Sequence, residues 1–60
     1  MKQYQNWLAQ YMKCRREGDH ALAAELASLI CGFWLSHGND AELKKWQKLQ
    51  DEHAQQVALT

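Results

Sequence analysis

Five residues in this chain carry side chains that could do chemistry: Cys14, Cys31, His20, His37 and His53. A thiolate beside an imidazole can act as a nucleophile, and thiolate and imidazole ligands hold zinc when about four of them converge. The spacing supports neither reading. The histidines lack a His-x-x-x-His or similar ligand pattern, so no metal and no other cofactor is expected. Lys13, Arg15 and Arg16 beside Cys14 would lower its thiol pKa, but a helix C-terminus opposes that shift. Both cysteines are expected to be ordinary packed or exposed thiols, His37 a helix-end residue, and His53 a surface or interface residue. No nucleophile, base and orienting group are set out together, and 60 residues build little of a pocket, so the chain is not expected to be an enzyme.

The elements that must position these side chains read as three helices. In the first, over about residues 2–17, Tyr4, Trp7, Leu8, Tyr11 and Met12 follow the i, i+3, i+4, i+7, i+8 pattern of one helix face. Gly18 supplies a left-handed stop and Asp19 a new N-cap. The second helix, about 19–37, is central: Leu22, Leu26, Leu29, Ile30 and Phe33 form one stripe, and Ala23, Ala27 and Trp34 widen it toward a second neighbour. Gly38 repeats the stop. Asn39 with Glu42 fits a capping box, opening a third helix over about 40–56 with Leu43, Trp46 and Leu49 on its apolar face. Only Val57 and Leu59 are large and apolar beyond that, so the last ten residues are expected to fray.

The Gly18–Asp19 connection is too short for anything but an antiparallel hairpin. Facing residues should then have numbers summing to about 37, pairing Tyr11 with Leu26, Leu8 with Leu29, Trp7 with Ile30 and Tyr4 with Phe33. The fold expected is a single all-α domain over residues 1–60: a helical hairpin plus a third helix, with Tyr4, Leu8, Leu29 and Phe33 in its core. Register also separates Cys14 from Cys31 by about 12 Å along the hairpin, beyond the reach of a disulfide. Ala24, Ser28 and Gly32 recur every four positions and could seat the third helix or a symmetry-related chain.

Composition limits the function classes. A chain this short buries only about 60% of its unfolded surface and usually needs a supplement. Two cysteines cannot supply a disulfide framework, which leaves association as the supplement the sequence favours. Six aromatics and a dozen aliphatics exceed what three short helices readily bury, so some should reach an interface. Trp34, Leu35, Trp46, Leu49 and His53 are the residues expected there, with a second copy of the chain and an unidentified protein as partners. Seven basic residues balance seven acidic ones, which removes the global attraction of a strongly basic nucleic-acid binder. The alternative is a DNA-binding or DNA-mimicking regulator using Lys44, Lys45 and Lys48 of the third helix with Arg15 and Arg16. Against it stand Asp40, Glu42, Asp51 and Glu52 among the lysines and the lack of base-reading side chains at that helix's start apart from Asn39.

The charge-free run Leu26 to Asn39 has too few consecutive apolar residues for a bilayer, which needs about 20. Gln3, Gln5 and Asn6 stand where a secretory signal would be apolar, so a cytoplasmic location is expected. The Met1 start, the length, the first-helix segment YQNWLAQYM and the centre GDHALAAELASLICGFWLSHGND together resemble the short helical accessory proteins of lambda-like temperate phages, encoded between the recombination and excision genes. That resemblance implies a non-enzymatic protein of the host cytoplasm that binds host or phage proteins. It assigns no functional residues.

Overall fold

The structure, a computed structural model, describes residues 2–59. Three helices follow one another, α1 (Lys2–Glu17), α2 (His20–His37) and α3 (Asp40–Leu59), and no strand occurs among the described residues. The chain punctuation works as its chemistry dictates. Gly18 (φ 74°) and Gly38 (φ 71°) take the left-handed conformation that side chains with a Cβ resist. Each closes a Schellman pattern: the N–H of Asp19 donates to the Cys14 carbonyl at 2.9 Å, and that of Asn39 to the Trp34 carbonyl at 3.2 Å. Asp19 then accepts from the Leu22 N–H and Asn39 from the Glu42 N–H, both at 3.2 Å, so each turn caps the following helix.

Helix α3 runs on to Leu59, past the expected end near residue 56. Thr60, the last residue of the stretch expected to fray, lies outside the described residues. No described helix is long and apolar enough to cross a membrane.

Helix α2 lies between the other two. On one side Tyr4 stacks on Phe33 with ring centroids 4.6 Å apart, as the hairpin register requires. On the other side the buried residues Ala23, Ala27 and Cys31 continue a stripe from His20, which meets His53 of α3, to the Cys31 Sγ, 3.8 Å from the Gln50 Oε1. Small side chains there let α3 approach closely. The seam therefore lies one position round the helix from the strip Ala24, Ser28, Gly32; Ser28 and Gly32 face solvent.

Sharing α2 between two neighbours also corrects the expected core. The arc Ala23, Leu26, Ala27, Ile30 points between α1 and α3 and is buried. That rotation carries Leu29 to the outer edge, where it is 48% exposed, while Tyr4, Leu8 and Phe33 pack at the margin of the core, half-buried.

Two glycine substitutions should act in opposite directions. A Cβ on Gly32 meets nothing within 4 Å and its helical backbone suits alanine, so Gly32→Ala is expected to stabilise by about 1 kcal/mol. At Gly38 the positive φ makes the same change cost about 1 kcal/mol or more. Thermal melts should separate the pair by roughly 10 °C, at about 4–8 °C per kcal/mol for a domain of this size.

Candidate interaction site

The Cα atoms of α1 and α3 nowhere come within 8 Å of each other, although both pack on α2. Two large side chains hold them apart. Tyr11 of α1 is fully buried and meets Trp46 of α3 edge to face, with ring centroids 5.0 Å apart. Above this wedge an open trough runs between the helices. One part, of about 300 Å³, is bounded by Leu8, Met12, Arg15, Lys45 and Leu49 over Tyr11 and Trp46. It shares Tyr11, Arg15 and Leu49 with a second part, of about 330 Å³, that reaches past Glu52 and His53 to Gln56. From Lys45 to Gln56 the trough is about 16 Å long at the α-helical rise. A shallow depression against Met12, Arg15 and Arg16 adjoins its rim.

Beneath the second part lies a chain of hydrogen bonds that ties the three helices. The Tyr11 hydroxyl is 2.7 Å from His53 Nε2, and His53 Nδ1 is 3.0 Å from His20 Nδ1. With both imidazoles neutral the chain closes in either sense, Tyr11 donating to His53 and His53 to His20, or His20 donating to His53 and His53 to Tyr11. Burial pushes the His53 pKa below its ordinary 6.5, helped by His20 and Arg15 and opposed by Glu52. The Tyr11 pKa is raised, chiefly by burial. Such a chain can pass a proton but faces no activated nucleophile. Burial, with Asp19 and Glu17 in support, raises the Cys14 thiol pKa, and burial with Asp51 raises that of Cys31. Both cysteines are free. No group of three or more potential metal ligands occurs among the described residues.

The residues expected at an interface separate into two sets. Trp46 and His53 are 4% and 8% exposed and belong to the chain's own core, so neither is a surface anchor. The reason is periodic: positions 46, 49 and 53 share one face of α3, and that face is already used against α2 and Tyr11. Leu49 is half-buried in the trough, Trp34 is half-buried against Tyr4 and Phe33, and Leu35 is 69% exposed. His37, expected at a helix end, stands there with its ring 4.2 Å from that of Phe33.

Arg15 and Lys45 line the trough from opposite sides and Arg16 stands beside its rim, while Lys44 and Lys48, one turn apart, share a face of α3 next to Lys45 and do not line the trough. The five cations thus fall in two groups, three lysines on one face of α3 and two arginines on α1.

The sequence reading missed both the trough and the Tyr11–His53–His20 chain. The second was within reach of register arithmetic, because an antiparallel α2–α3 pair turning at Gly38–Asn39 brings residue 20 within about one turn of residue 53.

Comparison with protein-family models, with curated proteins and with solved structures found no match. The functional reading therefore rests on the geometry of this chain.

Proposed function

We propose that this chain is a non-enzymatic interaction module that binds a helix of another protein in the trough between α1 and α3. The observation that carries the reading is the trough itself: Leu8, Met12 and Leu49 sit half-exposed or exposed along a concave strip whose floor, Tyr11 and Trp46, is rigidly packed. A groove of this form between two parallel helices suits an amphipathic helix laid along it. Self-association is the reading the sequence favoured, on the ground of surplus aromatics. All six aromatic residues have ring contacts or partial burial within the chain, and the exposed Leu22, Leu29, Leu35, Val57 and Leu59 do not line the trough. A second copy therefore has less to cover than the composition suggested. The resemblance to phage accessory proteins would place such binding in the control of host or developmental functions.

Amide chemical shifts on adding a Leu-based, Gln-flanked amphipathic helical peptide test the reading. Changes should concentrate at Leu8, Met12, Arg15, Lys45 and Leu49. Changes centred on Leu22, Leu29 and Leu35 would reject it. Duplex DNA is the alternative ligand, and its phosphate contacts would be strongest at low salt. A mobility shift at low ionic strength is not expected, because Asp40, Glu42, Asp51 and Glu52 stand on α3 among Lys44, Lys45 and Lys48, and Arg15 and Arg16 lie on a different helix.

A further inference from the structure

The charges on the trough specify its occupant more closely. The part over Trp46 is lined by five apolar or aromatic side chains and by two cations, Arg15 and Lys45, with no carboxylate among them. Neither cation forms an ion pair with a carboxylate among the described residues; Lys45 Nζ instead stands 5.9 Å from the Trp46 ring centroid. Arg16 adds a third positive charge beside Met12 at the same rim. Among the described residues that line the trough the one carboxylate is Glu52, in the second part with His20 and His53. We propose that the occupant is an acidic amphipathic helix of a different protein, about three turns long, its apolar face on Leu8, Met12 and Leu49 and its carboxylates toward Arg15 and Lys45.

This proposal rests on the reading of the trough as a docking site and adds the chemistry of the partner. Length follows from the trough's span of about 16 Å at 1.5 Å per residue. Met12, unbranched and exposed, can adapt to differing apolar side chains, so charge would contribute much of the selectivity. A helix carrying lysines in place of the carboxylates would meet Arg15 and Lys45 with like charge and would be rejected. A second copy of the chain complements the trough less well: its exposed pair Leu22 and Leu29 has only Glu25 between them.

The test uses three synthetic peptides with one apolar pattern, flanked by Glu, by Gln or by Lys, each titrated into the full chain at low and moderate salt. The Glu peptide should bind about tenfold or more tightly than its Lys counterpart, and added salt should narrow the gap. Combining Arg15→Glu with Lys45→Glu should reverse the order. Both positions are exposed, and an unchanged circular dichroism spectrum and melting curve would verify that the double variant folds. Equal affinity for all three peptides, with shifts still confined to the trough, would overturn the acidic partner and leave the docking site standing. Absence of trough shifts with every peptide would overturn both.

Discussion

Replacing Trp46 by alanine should remove most of the cooperative fold. The side chain is 4% exposed, packs edge to face on Tyr11 and keeps α1 and α3 apart, so its deletion loses transfer energy and leaves a cavity between two helices that do not otherwise touch through their backbones. Truncations of this kind cost about 3–5 kcal/mol. Domains hold about 0.05–0.15 kcal/mol per residue, so a chain of 60 residues has only roughly 3–9 kcal/mol in total. Urea denaturation followed by far-ultraviolet circular dichroism should show a shallow transition with little or no folded baseline. By contrast Leu35→Ala, at a side chain 69% exposed, should shift the midpoint by no more than about 0.5 kcal/mol equivalent. If Trp46→Ala unfolded with the parent's midpoint, Trp46 would be the surface anchor that its sequence position first suggested.

Acid should loosen the structure as pH falls below about 6.5, through His53. Buried His53 has its pKa held below the ordinary 6.5, whereas in the unfolded chain it titrates near that value. The unfolded state then binds more protons as pH falls below about 6.5, so stability is fully present above that pH and is lost as pH drops through the folded value. The structural cause is visible. Protonating His53 places a charge in a buried site 3.0 Å from His20 Nδ1, with Arg15 of α1 adding to the cost and Glu52 of α3 opposing it. Urea midpoints should fall between pH 7.5 and pH 5.5, and His53→Gln, which keeps polar atoms but does not titrate, should flatten most of that slope. A parent midpoint constant over this range would show that His53 is not held in its buried site in solution.

The sequence made the helices legible because their boundaries are written in local chemistry. Gly18–Asp19 and Gly38–Asn39 each combine a left-handed stop with a capping side chain, and both operate as read. The α1–α2 register was equally accessible, as the Tyr4–Phe33 stack shows. What could not be read was rotation. Periodicity marked an apolar arc on α2 wider than one neighbour needs, but not how α1 and α3 divide it, so Leu29 was placed inside and the small-residue seam one position off. The same gap hid the site. Trp46 and His53 look like surplus apolar surface until Tyr11 is seen to reach across to both, a contact between residues 35 and 42 positions apart in sequence. A trough formed by the failure of two helices to meet leaves no periodic signal at all.

The measurement that bears most directly on the docking reading is the solution mass by light scattering over a concentration series, for the parent chain and for Met12→Glu. An open trough awaiting a different protein predicts a monomer of 7.0 kDa throughout, with Met12→Glu indistinguishable from it. Twice that mass at higher concentration, returning to the monomer in Met12→Glu, would mean that a second copy fills the trough and would contradict the account.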